Sequence, residues 1–321
     1  MCGEKLADKM KSQNSAIIRK QLRPCPGHGM IVQTKIGGMG MHSPLEIARS
    51  YVEVGVHKAH LSVFKMLVLG FFAGLFIGFA GIASTTASST IGIASVAKLV
   101  GACVFPAGMA MVLVAGSELF TGNNLMILAA LEKKITVGSM LKNWLFVYIG
   151  NFLGAAFVAC MVVYGHTPEL FGGALAQAIV NAGKARTDLS IPEAFIRGIL
   201  CNILVCIAVW MSFAAKRVSG KLMTSFWPVM LFVLCGFEHC VADMYFGVAA
   251  LLTSAEYGIA AEGLTWSHFL FSSLLPITLG NIVGGAGVVG VGYWLAYLKH
   301  TPYAKETVEE EQKELDIAEE Y

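Results

Sequence analysis

What this sequence has least of is charge. Only 14% of its 321 residues are Asp, Glu, Lys or Arg, whereas an average soluble domain carries roughly 25%. With 56% hydrophobic residues and a mean hydropathy of +0.66, the composition excludes an ordinary soluble domain. The net charge of +2 is too small for nucleic-acid binding, and no basic block with interleaved aromatics is present. Metal-ligand spacing is missing as well. The eight cysteines form no CxxC pair, and Cys103, Cys160, Cys201, Cys206, Cys235 and Cys240 lie in apolar segments, where they read as small buried hydrophobes. The histidines are scattered, and the nearest pair, His57 and His60, lacks both HExxH and Cys/His spacing. These absences predict no bound metal and no redox cofactor. Neither a GxSxG motif nor an ATP-binding motif occurs, so nothing here marks an enzyme.

What the sequence does contain is long charge-free runs. A helix crossing the bilayer core needs about 20 apolar residues. Six spans can be read: Met66 to Ala83, Leu99 to Ser117, Asn143 to Gly165, Gly198 to Ala215, Leu222 to Phe237 and His268 to Leu298. A polar connection containing Lys184, Arg186, Asp188 and Pro192 separates the third from the fourth. Thirty-five glycines, spread through apolar segments, fit the close small-residue packing of membrane helices. Lys and Arg concentrate before Lys65, at Lys133, Lys134 and Lys142, at Lys216, Arg217 and Lys221, and after Lys299. The positive-inside bias then places both termini in the cytoplasm of a multi-pass cell-membrane protein.

The expected organisation has four parts. Residues 1–41 read as a flexible N-terminal lead, and 42–62 as an amphipathic cytoplasmic helix opening on the cap Ser43-Pro44-Leu45-Glu46. Residues 63–298 form the six-span transmembrane domain, and 299–321 an acidic cytoplasmic tail. Met41 offers an alternative initiator, and the polar stretch before the first span holds no cleavable signal.

Self-comparison reveals a repeat. Gly150-Asn151-Phe152-Leu153-Gly154-Ala155 in span three matches Gly280-Asn281-Ile282-Val283-Gly284-Gly285 in span six. In each half the middle helix is interrupted by a carboxylate: Glu118 stops the second span before Leu119 to Leu131 resumes, and Glu238 stops the fifth before Met244 to Thr253 resumes. An odd number of spans per half means that repeat one (63–165) and repeat two (192–298) lie inverted to one another, an arrangement common in transporters. Broken helices at corresponding positions point to a permeation site, because lipid cannot satisfy the freed backbone groups. The same carboxylates are also read as caps that hold the broken loops.

Three stretches now carry a resemblance. Gly116-Ser117-Glu118-Leu119-Phe120-Thr121-Gly122-Asn123, Gly198 to Ala208 with its Cys201-Asn202-Ile203 core, and Gly236-Phe237-Glu238-His239 are similar to the signature stretches of the formate/nitrite transporter family. The resemblance covers about residues 44 to 300. It implies an all-α, aquaporin-like protomer with helices two and five broken, assembled as a homopentamer with a pore in each protomer. Thr121 would face the pore centre with His239, and Asn202 would lie nearby. Leu119 and Phe232 would form the apolar constriction, with Phe105 and Met109 on another narrow part of the substrate pathway. Lys58 would serve one vestibule and Lys184 the other, with Arg186 competing for that second place. The family often carries Asn where Asp243 stands here, which sets an extra carboxylate near an anion path.

The function implied is a membrane channel for small monovalent weak-acid anions. Formate is favoured; nitrite, hydrosulfide and short carboxylates such as acetate or lactate are the alternatives. Lysines would concentrate the anion, dry apolar rings would favour its neutral acid, and His239 or water would lend the proton. A neutral-solute channel of aquaporin type would need paired Asn-Pro-Ala loops, which are absent. A membrane-integral redox subunit, the alternative from another class, would need histidines facing one another across spans, and only His239 sits deep.

Overall fold

The computed structural model describes residues 41–299, so the lead and the tail fall outside the described residues apart from Met41 and Lys299. Every element within them is helical. We number them α1 (Pro44–Ala59), α2 (Val63–Ser88), α3 (Ala94–Gly116), α4 (Phe120–Leu131), α5 (Val137–Tyr164), α6 (Ala174–Thr187), α7 (Ile191–Ala214), α8 (Val218–Cys235), α9 (Cys240–Tyr257) and α10 (His268–Tyr297). Among the described residues, α2, α3, α5, α7, α8 and α10 are long and apolar enough to cross a membrane. This is the all-α, six-span architecture that the charge-free runs predict.

Local chemistry sets the helix starts. Ser43 caps α1 by accepting from the Glu46 N–H at 3.3 Å, while the Glu46 carboxylate accepts from the Ser43 N–H at 2.6 Å. Pro44 follows at the first helical position, where no N–H is needed. These backbone and side-chain bonds from Ser43 hold the Glu46 carboxyl below its ordinary range. α1 buries Ile47, Ala48, Tyr51 and Val52 along one face, as an amphipathic helix should. Ser62 and Thr136 cap α2 and α5 in the same way.

Glycines decide how closely the long helices approach. On α5, a Cβ at Gly154 would run into the Phe71 carbonyl oxygen of α2; on α10, one at Gly284 would run into the Ile199 carbonyl of α7. The two crossings therefore match, as the sequence repeat matches. Most glycines of α10 serve contacts inside the protomer: Gly280 faces Phe195, Gly285 faces Asn202 and Asn124, and Gly290 faces Ile127.

The polar connection carrying Lys184 and Arg186 holds a helix of its own, α6. It buries Leu175, Ile179 and Gly183 together with Ala176 and Val180 against α9, and exposes Gln177 and Asn181. A scan for uniformly apolar runs passes over such an amphipathic helix, because its average polarity is that of a loop.

Replacing Gly154 by Val forces α2 and α5 apart, and is expected to destabilise the protein by about 1–3 kcal/mol. Gly138→Ala, whose new Cβ meets only Thr136 Oγ1 at 3.9 Å, is expected to leave the thermal unfolding midpoint in detergent unchanged.

Candidate functional site

The site begins where two helices break. α3 ends at Gly116, whose φ of +79° an L side chain rarely adopts, and extended backbone at Ser117 and Leu119 leads into α4. α8 ends at Gly236, with φ of +70°, and extended backbone at His239 leads into α9. Breaks at this depth free amides that lipid cannot satisfy, and one asparagine answers for each. The Asn151 Oδ1 accepts from the Phe120 N–H at 2.9 Å, and its Nδ2 donates to the carbonyls of Gly70 at 2.8 Å and Glu118 at 2.9 Å. The Asn281 Oδ1 accepts from the Cys240 N–H at 2.9 Å, and its Nδ2 donates to Gly198 at 2.7 Å and Glu238 at 3.0 Å. The Glu118 N–H reaches the Leu69 carbonyl at 3.2 Å and the Glu238 N–H the Arg197 carbonyl at 3.3 Å. Each of these asparagine and glutamate-amide bonds at one break has its counterpart at the other.

The two carboxylates, read from the sequence as loop-supporting caps, take side-chain partners at the breaks. Glu118 pairs with Lys58, whose Nζ lies 2.9 Å from both carboxylate oxygens and 2.8 Å from Asn123 Oδ1. Asn123 Nδ2 donates in turn to Glu118 at 2.7 Å and to Asn143 Oδ1 at 2.8 Å. At the second break Glu238 Oε2 and Asp243 Oδ1 stand 3.3 Å and 2.6 Å from Arg186 Nε, and the guanidinium lies 3.8 Å above the Phe246 ring. Arg186 thus holds the place that corresponds to Lys58. Lys184, the residue first matched to this vestibule, turns away instead. It pairs with Asp188 at 2.7 Å and donates to the Glu262 carbonyl at 3.0 Å, with 36% of its side chain exposed.

Between the clusters, Thr121 Oγ1 and His239 Nε2 meet at 2.8 Å, both buried. His239 Nδ1 accepts from the Ala242 N–H at 3.1 Å, capping α9. Nδ1 is therefore the unprotonated nitrogen of a neutral imidazole, and Nε2–H donates to Thr121. Phe232 stacks on the imidazole with ring centres 5.8 Å apart, and Phe105 meets Phe232 edge-on at 5.9 Å.

Two cavities approach this barrier. The larger, about 730 Å³, is walled by Phe105, Phe232 and His239 at the barrier and by Lys98, Arg186 and Arg197 farther out. The smaller, about 190 Å³, is walled by Leu119 and Met109 at the barrier and by Lys58 and Lys221 farther out. Each thus carries basic side chains and ends on apolar ones. Asn202 lines neither cavity. Its Nδ2 donates to the Asn281 carbonyl at 2.7 Å, Asn124 Oδ1 at 2.8 Å and the Thr121 carbonyl at 3.3 Å, so it positions the loop that carries Thr121.

Sequence reasoning named Thr121, His239, Leu119, Phe232, Phe105, Met109 and Lys58, and these residues gather at the barrier and the smaller cavity. It did not name Asn151 and Asn281 as functional, although the repeated Gly-Asn-x-x-Gly held the signal. Lys98, Arg197 and Lys221 gave none, because a charge beside a span reads equally well as an interfacial one.

A family model described as formate/nitrite transporter matches residues 45–295 of the chain. A probable formate transporter of Methanothermobacter thermautotrophicus is 36% identical over 283 residues, spanning 82% of this chain and 99% of that protein. The formate channel FocA of Haemophilus influenzae is 37% identical over 263 residues, spanning 78% of this chain and 92% of that protein. Two solved structures share the fold. An FNT family ion channel aligns with a TM-score of 0.71 at 28% identity, covering 80% of this chain and 99% of that one. A pentameric formate channel with formate bound aligns with a TM-score of 0.66 at 33% identity, covering 74% and 98%. With six membrane-crossing helices and a match across most of its length, this chain belongs to the formate/nitrite transporter family.

Proposed function

We propose that the protein conducts small monovalent weak-acid anions, formate first among them, with a proton accompanying each anion and with one pore per protomer of a homopentamer. The observation that carries this reading is the Thr121–His239 hydrogen bond, set in an apolar barrier between two cavities with basic walls. The relatives described as formate channels, and the related pentameric channel with formate bound, support the same substrate and assembly. The cell membrane, with both termini cytoplasmic, is the setting that the Lys and Arg distribution favours.

The chemistry runs from the walls inward. Lys221 on one side, and Lys98 and Arg197 on the other, raise the local concentration of anions, while Lys58 and Arg186 on the same walls are ion-paired. A carboxylate moved between Phe105, Phe232, Leu119 and Met109 loses its water, which favours its neutral acid. Thr121 O–H is the donor that remains for its oxygens, and His239 Nε2–H becomes a second one when the permeant takes the place of Thr121 Oγ1 as its acceptor. A neutral imidazole that surrendered its Nε2 proton would become an imidazolate unless Nδ1 were protonated first, and Nδ1 is held by the Ala242 N–H. The proton therefore enters with the permeant from cavity water, and His239 contributes a hydrogen bond. Nitrite and hydrosulfide meet the same requirements of size and charge.

Three outcomes test this reading. A detergent-corrected mass of five chains is expected; a mass of one chain overturns the assembly. Leu119→Ala or Phe232→Ala is expected to raise the ratio of lactate to formate flux in proteoliposomes by about tenfold or more, since one methylene discriminates by that much. An unchanged ratio would make both residues mere core. His239→Asn keeps an N–H donor and is expected to retain the coupling of formate uptake to internal acidification. Loss of that coupling in a folded, assembled variant would make the imidazole the proton donor.

A further inference from the structure

The two charge clusters occupy matching places but differ in balance. At the first, Asn123 supplies Glu118 with an N–H donor at 2.7 Å while its oxygen takes Lys58, so one cation meets one anion. At the second, the matching position carries Asp243, and a second carboxyl stands where that donor stood. Among the described residues, Arg186 Nε is the cationic nitrogen that reaches the pair, 2.6 Å from Asp243 Oδ1 and 3.3 Å from Glu238 Oε2. The side chain of Asp243 is 1% exposed and that of Glu238 9%. Asp243 Oδ2 is buried with no hydrogen-bond partner, and both carboxyl groups converge on the same guanidinium nitrogen. Two buried carboxylates beside one guanidinium would leave an uncompensated negative charge, which proteins relieve by protonation.

We infer that Asp243 and Glu238 together hold one proton, forming a proton-binding site on the wall of the larger cavity, with a carboxylic O–H standing where the first repeat has the N–H of Asn123.

The surroundings are accounted for on every side. Arg186 comes from α6, and Lys98 of α3, Arg197 of α7 and His239 line the same cavity. Cys201 of α7, Cys240 of α9 and Tyr148 of α5 lie in the field of Asp243. His268 of α10 is engaged by the Thr187 carbonyl at 2.8 Å. With the shared proton in place, the cluster of Arg186, Glu238 and Asp243 is neutral, as that of Lys58 and Glu118 is. When the carboxylic O–H breaks and its proton passes to cavity water, the cluster gains a net negative charge beside the anion path. Anion entry from this side then falls. This consequence rests on the channel reading above, whereas the proton site does not.

Infrared difference spectroscopy of the purified, assembled protein, titrated upward from neutral pH, tests the site directly. The wild type is expected to show the C=O stretch of a protonated carboxyl that disappears on titration, and Asp243→Asn is expected to lack it. Isotope-labelled aspartate and glutamate in the wild-type protein address the same point without a substitution, and one of them must shift the band. A wild type without the band, a band unmoved by either label, or one that persists unchanged in Asp243→Asn overturns the proposal. For the consequence, formate flux is measured as pH is raised on the side of the larger cavity. Wild-type flux is expected to fall more steeply than that of Asp243→Asn, the ratio of the two widening as pH rises through the titration and levelling off above it. Equal slopes overturn the effect on anion entry. A wild type that shows the band but conducts no formate overturns the channel reading and leaves the proton site standing.

Discussion

Everything in this protein depends on satisfying the backbone where two helices break at membrane depth. Hydrocarbon offers no partner for a freed amide or carbonyl, and each one left open costs several kcal/mol. Asn151 and Asn281 meet that demand, each accepting one N–H from beyond the break and donating to two carbonyls around it. Both asparagines are fully buried on helices that cross their neighbours through glycine. The close crossing is what brings the amide to the broken strand. Small residues and asparagine therefore work as one device: the glycines set the distance and the amide uses it.

Once the breaks are stable, the site is assembled from their ends. His239 both caps α9 and faces Thr121, so one side chain closes the second loop and reaches toward the first. Its tautomer follows from the cap. The carboxylates just before the resumed helices are then free to bind cations from elsewhere in the chain, Lys58 of α1 and Arg186 of α6. Those cations fasten the amphipathic helices α1 and α6 to the breaks. They also face the two cavities, whose walls can draw anions toward a barrier that carries no full charge of its own.

Much of this was legible before any coordinates. The spans follow from charge-free runs, and α1 from a Ser-Pro-x-Glu start whose hydrogen bonds form as written. The breaks follow from Glu118 and Glu238 in otherwise apolar segments, and a match with a known family drew Thr121 and His239 together although they lie far apart in the chain. What failed did so for physical reasons. α6 went unread as a helix because an amphipathic helix on a protein face has mixed composition. Lys184 and Arg186 could not be told apart, because two residues along a helix point to different sides and only the register on α9 decides which one faces in. Asn202 looked like a lining residue because its signature places it near the pore, yet its amide is occupied by backbone and Asn124.

By itself, then, the amino-acid sequence determined that the chain carries six helices apolar and long enough to cross a membrane, that a Gly-Asn-x-x-Gly stretch recurs, and where Glu118 and Glu238 interrupt two apolar runs. These are matters of local composition and spacing, and they do not require knowing what touches what. Only the tertiary structure decided which groups satisfy the breaks and which cation answers each carboxylate. It also decided which imidazole nitrogen carries the proton, and that Asp243 stands where the first half has an amide donor. Apart from the imidazole tautomer, set by a cap three residues away, each of these depends on distances of a few ångströms between residues separated by tens of positions or more, set by how glycine-lined helices cross.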